Sequence, residues 1–187
     1  TFRKLIGGRN DSKEEYPYGV PLLKTKNILA EFNDFLKIQN THLVVKLHPY
    51  QRIEFDIEQL IFSNITFVTR EIAEKKNIDV YRLMASVDAL ISDYSSSAYS
   101  FILLDRPLAF ILSDISNYDR GFDITNAEVK KFLPGELILN IDDLKKYCND
   151  VIRGVDNKSK ERNELADWLY EYRDGNACER IVDFLGL

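Results

Sequence analysis

The chain has 187 residues, a length that fills one α/β domain well. Its residues are 45% hydrophobic and 29% charged, which excludes an intrinsically disordered chain. A formal net charge of −5 makes it a poor binder of nucleic acid through charge alone, and no apolar run reaches membrane-spanning length or reads as a signal peptide.

Residues 1–6 read as a short strand and Gly7-Gly8-Arg9-Asn10-Asp11 as a turn. Residues 10–24 are polar and proline-bearing, a loop suited to be a lid or spacer. Ile28, Leu29, Phe32, Phe35 and Leu36 then recur at helical spacing behind Thr25, a capping residue. A buried strand is expected over 42–47, with His48-Pro49-Tyr50 at its carboxyl end; Ile57, Leu60 and Ile61 suggest a short helix, and 65–68 a third strand. After Asp79, Val80, Leu83 and Met84 predict another short helix, and 87–91 a fourth strand. The loop Ser92-Asp93-Tyr94-Ser95-Ser96-Ser97 follows, then a helix carrying Ala98, Phe101, Ile102 and Leu104, which Asp105-Arg106-Pro107 stops before a fifth strand at 108–112. Residues 115–135 form a long connection ending at Pro134-Gly135, and 137–139 a sixth strand. Helices over 142–152, 158–172 and 177–185 finish the chain.

Strands alternating with helices predict one Rossmann-like domain, a parallel sheet of about six strands in the order 3-2-1-4-5-6 with helices on both faces. Ligands of such sheets bind beyond the carboxyl ends of the strands. That rule selects residues 7–9, His48, the serine loop and the segment from Asp114 onward. The hydroxyls of Ser95, Ser96 and Ser97 stand where a helix begins, beside unpaired N–H groups and the positive end of the helix dipole, a setting for a phosphate or pyrophosphate. The same residues also suit a plain cap with solvated neighbours, and no glycine fingerprint decides between the two.

His48, held by Pro49, is suited to general base, general acid or phosphate contact near neutral pH, or to a hydrogen bond with a neighbouring loop. Arg120 is either a phosphate clamp or a solvated arginine, and Arg9, Lys46, Arg52 and Arg106 are weaker versions of the same case. Asp93 is expected to cap its loop, and Lys145-Lys146 and the run 158–162 to be solvated helix faces. Cys148 and Cys178 have no Cys-x-x-Cys spacing and only His42 and His48 beside them, so two free thiols in a reducing compartment and no metal site are expected. The chain starts at Thr1 and its only methionine is Met84, which leads us to expect a piece of a longer protein.

Thr1-Phe2-Arg3, Lys46-Leu47-His48-Pro49, Asp79-Val80-Tyr81, Ser92-Asp93-Tyr94-Ser95-Ser96, Leu104-Asp105-Arg106-Pro107, Arg120-Gly121-Phe122, Pro134-Gly135 and Asp174-Gly175-Asn176-Ala177-Cys178-Glu179-Arg180 occur in an order that covers nearly the whole chain. In this series the chain resembles the CDP-glycerol glycerophosphotransferases of teichoic-acid synthesis. The resemblance implies the carboxyl-terminal, nucleotide-binding half of a GT-B transferase, peripheral on the cytoplasmic face of the membrane in the full-length protein. It implies a CDP-glycerol or related CDP-polyol donor, a lipid-linked or polymeric acceptor, an amino-terminal domain not present here, and no cofactor. It makes His48 catalytic and gives Ser95 and Ser96 the donor's phosphates, with Arg120 matching the family's arginine before glycine. Ser100 stands where the family carries an aspartate, which removes a carboxylate suited to hold a polyol. Two rivals remain: a nucleotide-sugar GT-B glycosyltransferase or epimerase, whose terminal helix carries a similar Gly-x-Ala-x-Glu-Arg pattern, and a non-catalytic α/β interaction module.

Overall fold

The computed structural model describes residues 18, 20–47, 60–93, 95–112 and 131–187. Its first element, α1 (Lys26–Ile38), begins where Thr25 accepts the Ile28 N–H at 3.2 Å, a cap worth about 1 kcal/mol. Leu29, Phe32 and Leu36 form its buried stripe, at the helical period seen in the sequence. Next come β1 (Leu43–Lys46), β2 (Ile65–Val68), α2 (Arg70–Lys75), α3 (Val80–Ala85) and β3 (Leu90–Ser92). α4 (Ser97–Phe101) runs into a 3-10 turn at Ile102–Leu104, followed by β4 (Leu108–Ile111) and β5 (Glu136–Ile138). The helices α5 (Ile141–Ile152), α6 (Ser159–Leu169) and α7 (Ala177–Leu185) close the chain.

All pairings are parallel, but the described strands do not form the single six-stranded sheet expected from the sequence. They form a two-stranded sheet, β1-β2, and a three-stranded sheet in the order β3-β4-β5. The expected first strand, residues 1–6, lies outside the described residues, as does most of the helix expected around Ile57; Leu60 and Ile61 are not helical. One core nevertheless spans both sheets: Leu29, Phe32 and Leu36 of α1 pack with Val45, Ile65 and Phe67, and with Ala109, Ile111, Ile138, Leu144 and Tyr147.

β4 is buried at every position because helices cover both of its faces. Ala109 and Ile111 join the core beneath α1 and α5, while Leu108 and Phe110 face Met84 of α3, Ala98 and Phe101 of α4, and Leu165 and Ala166 of α6. Close packing explains Pro134-Gly135 as well. A Cβ on Gly135 would sit 2.5 Å from the Leu108 carbonyl oxygen, so only glycine lets β5 come in beside β4.

The strand expected at 87–91 is instead Leu90–Ser92, for a reason that local pattern does not carry. Arg106 donates to the carbonyls of Ala85 (2.8 Å) and Val87 (2.6 Å), so that stretch serves the turn after α3 and the ladder begins at Leu90.

Candidate functional site

The serine loop leaves the carboxyl end of β3 at Ser92, which is buried. The Asp93 carboxylate accepts the Ser95 N–H at 3.0 Å, the loop-capping role expected of it. Ser95 Oγ lies 2.8 Å from Ser97 Oγ and accepts the Ser97 N–H at 3.3 Å. Ser96 holds the N-cap position in helical geometry, yet its side chain makes no capping bond. Ser95 and Ser96 are both exposed. The loop is therefore folded by Asp93 and the Ser95–Ser97 contact, and the Ser96 hydroxyl is not spent on a cap.

α4 has only five residues, so little macrodipole stands behind these serines. Anion binding here would rest on the hydroxyls and the loop N–H groups. Such a short helix is unstable alone and depends on what it packs against. Ala98 and Phe101 are fully buried beneath it. The Tyr170 hydroxyl donates to the Tyr99 carbonyl at 3.0 Å, and the Tyr99 hydroxyl donates to the Phe132 carbonyl at 3.1 Å.

Beyond the 3-10 turn, Asp105 takes a left-handed conformation (φ 45°) and accepts from Arg162 of α6 at 2.9 Å. Arg162 also forks onto Asp156, at 2.9 and 2.5 Å. Its side chain is fully buried, which corrects the expectation that 158–162 is a solvated face; the neighbours Lys158, Lys160 and Glu161 do lie in surface ion pairs. Burial works against charge on Asp105, but hydrogen bonds from Asn163, Arg162 and Ser159 and the guanidinium charge bring its pKa below the ordinary carboxylate value. Burial likewise opposes the charge on Arg162, and the two aspartates outweigh it.

Of the other residues singled out in the sequence, His48 and Arg120 lie outside the described residues, as do Arg9 and Arg52. Lys46 turns its ammonium onto the Leu47 carbonyl at 2.8 Å, and desolvation lowers its pKa. Arg106 uses its Nη1 on the carbonyls of Ala85 and Val87, at and just beyond the end of α3. Both cysteines are free: Cys148 in α5 has its thiol pushed up to about 11 by burial, while Cys178 is exposed. Among the described residues, no group of His, Cys, Asp and Glu is arranged to hold a metal ion. A cavity of about 300 Å³ opens between the starts of α1 and α5, against Lys24, Phe32, Asn140 and Lys145, and no serine of the loop lines it.

The run 174–180 is a local clamp. Arg180 forks onto Asp174 at 2.8 and 2.9 Å and lies over the Tyr172 ring, 4.1 Å from its centroid, while Asp174 also accepts the Asn176 N–H. Its arginine is occupied by the chain itself, so the pattern shared with sugar-nucleotide enzymes does not favour that reading.

A family model described as CDP-Glycerol:Poly(glycerophosphate) glycerophosphotransferase matches residues 14–186. The chain belongs to that family. Among relatives in the family, a teichoic acid ribitol-phosphate primase of Bacillus spizizenii is 27% identical over 157 residues, covering 84% of this chain and 37% of the relative. A teichoic acid poly(ribitol-phosphate) polymerase of the same organism is 26% identical over 186 residues, covering 97% of this chain and 26% of the relative. A teichoic acid glycerol-phosphate primase of Bacillus subtilis is 27% identical, covering 76% and 34%. The chain thus spans about a quarter to a third of the length of these relatives. The structure of the wall teichoic acid polymerase TagF shares its fold, with a TM-score of 0.51 at 22% identity over 83% of this chain and 45% of that one.

Sequence reasoning missed Tyr99, Tyr170 and Arg162 as supports of the serine loop. Arg162 carried one usable signal, since it lies three and four residues before the buried Leu165 and Ala166, on the apolar side of its helix. The two tyrosines carried none, because their partners are backbone carbonyls 33 and 71 residues away.

Proposed function

We propose that this chain is the donor-binding part of a transferase that moves glycerol phosphate or another polyol phosphate from a CDP-activated donor onto a teichoic-acid-like acceptor. The observation that carries the reading is the serine loop at the carboxyl end of β3. It offers three neighbouring hydroxyls, two of them exposed, in a chain of this family. Ser95, Ser96 and Ser97 hold the donor's diphosphate, with Arg120 as a further contact. His48 acts at the reacting phosphorus. In this reading His48 and the serine loop serve one donor site. The domain is then half of a GT-B fold whose other half lies elsewhere in a longer polypeptide. That polypeptide works at the inner face of the membrane, and no helix among the described residues is long and apolar enough to cross one.

In the reaction, an acceptor hydroxyl oxygen forms a bond to the phosphorus that carries the polyol. The bond from that phosphorus to the bridging oxygen of the diphosphate breaks, and CMP leaves with the electron pair. Hydrogen bonds from the serine hydroxyls stabilise charge building on the diphosphate. His48 either takes the acceptor's proton or donates one toward CMP, and the acid and base limbs of the pH–rate profile separate these roles. In the full-length enzyme, His48→Ala lowers turnover by at least about a hundredfold; a near-wild-type rate ends that assignment. The loop reading is tested by calorimetry with CDP-glycerol: Ser95→Ala combined with Ser96→Ala weakens binding, and unchanged affinity refutes it.

A further inference from the structure

Hydrogen bonds from α6 and its carboxyl-terminal cap reach the segment that bears the serines at two places, Asp105 and Tyr99. Arg162, within α6, grips Asp105 at 2.9 Å just past the 3-10 turn. Tyr170, the residue that ends α6, donates its hydroxyl to the Tyr99 carbonyl inside α4 at 3.0 Å. These two grips are eight residues apart in the chain, one within α6 and one at its cap. Leu165 and Ala166 lie between them, packed in the same cluster as Ala98 and Phe101 of α4.

Arg162 is an unusual choice for a merely structural contact. It is fully buried, and its Nε has no hydrogen-bond partner, so the fork is kept at the cost of an unsatisfied donor. Replacing such a pair by apolar residues often leaves stability unchanged or improves it. What a rigid fork adds over an apolar contact is direction: it fixes where the Asp105 turn sits, and with it the carboxyl end of the serine-bearing segment. Five helical residues and one 3-10 turn cannot hold that direction alone.

We infer that Arg162 and Tyr170 are positioning residues that make α6 a splint for the serine loop, setting the aim of the Ser95 and Ser96 hydroxyls at the donor's diphosphate. The inference rests on the donor-binding reading given above.

A double-mutant cycle measured by calorimetry with CDP-glycerol tests it, using Tyr170→Phe, which keeps the ring and removes only the hydroxyl. Tyr170→Phe weakens CDP-glycerol binding about 3- to 10-fold, the worth of one hydrogen bond, while the melting temperature falls by no more than about 4 °C. In the Ser95→Ala/Ser96→Ala background the same substitution has no further effect on affinity, because the groups it aims are gone. In the full-length enzyme it raises the donor KM and leaves the acceptor KM unchanged, a split that general loosening of the fold does not produce. Arg162→Lys, which keeps the charge and loses the fork, gives the same pattern, and Tyr170→Phe carries the test if that variant does not fold. Unchanged affinity in Tyr170→Phe, or an equal loss in both serine backgrounds, overturns the splint. If the serine pair alone leaves CDP-glycerol affinity untouched, the donor-binding reading falls and the splint falls with it.

Discussion

The last two helices of the chain are built from opposite materials and do the opposite of what their sequences suggest. α6 is the more polar, with Lys160, Glu161, Arg162, Asn163 and Glu164 in one run, yet Arg162, Leu165 and Ala166 are buried and the helix is locked onto the core. α7 has a clean apolar stripe that includes Ile181, Phe184 and Leu185, yet none of its residues is buried; Phe184 is 89% exposed. What attaches α6 is the ion-pair cluster of Arg162 together with the packing of Leu165, Ala166 and Tyr170. What holds α7 is the short-range clamp of Asp174, Arg180 and Tyr172 at its start. Apolar patterning therefore predicts that a helix forms more reliably than it predicts where the helix is anchored.

Unfolding experiments separate the two helices sharply. The largest effect is expected beneath α6: Phe101→Ala, removing a fully buried ring from the cluster shared with Leu165, costs about 3–5 kcal/mol in urea unfolding. Arg162→Ala follows at about 3 kcal/mol, since it strands two carboxylates, one of which remains half exposed. Gly135→Ala forces a Cβ against the Leu108 carbonyl and costs about 1–3 kcal/mol by displacing β5 from β4. At the other extreme, Phe184→Ser changes global stability by less than about 0.5 kcal/mol. A Phe184→Ser loss approaching that of Phe101→Ala would erase the distinction between the helices.

Acid sharpens the same contrast. Asp105 and Asp174 both titrate below the ordinary carboxylate value in the folded chain, Asp174 because Arg180 forks onto it and the Asn176 N–H donates to it. A depressed folded pKa contributes stability that is present above the unfolded carboxylate value and is lost as pH falls through the folded one. For Asp105 the loss is expected as a weakening of the whole fold, seen in the urea midpoint. For Asp174 it is expected as faster amide exchange confined to α7, with the midpoint unmoved. Simultaneous loss of protection in α6 and α7 on acidification would contradict separate anchorage.

Much of the fold was legible where local signals and burial agree. α1 has a Thr25 cap and a stripe of Leu29, Phe32 and Leu36, so period and cap locate it. β2 was readable as an apolar run, and α7 was read at its observed bounds although none of its residues is buried. α2 was missed because Arg70–Lys75 buries nothing and has no apolar period, leaving only the Thr69 cap as a signal. β3 was misread by three residues at its start because Arg106, distant in sequence, claims the carbonyls before it. At the site, the Asp93 turn was legible from residue type, since Asx residues bond to the backbone two positions on. The supports from Tyr170 and Arg162 were not, because each depends on where α6 lands in three dimensions.

Binding of the donor's diphosphate at the serine loop is read directly by phosphorus NMR of CDP-glycerol titrated with this chain. Both diphosphate resonances are expected to shift with the wild-type chain and to stay at their free positions with the Ser95→Ala/Ser96→Ala chain. Equal shifts with the two proteins, or none with the wild type, would contradict it.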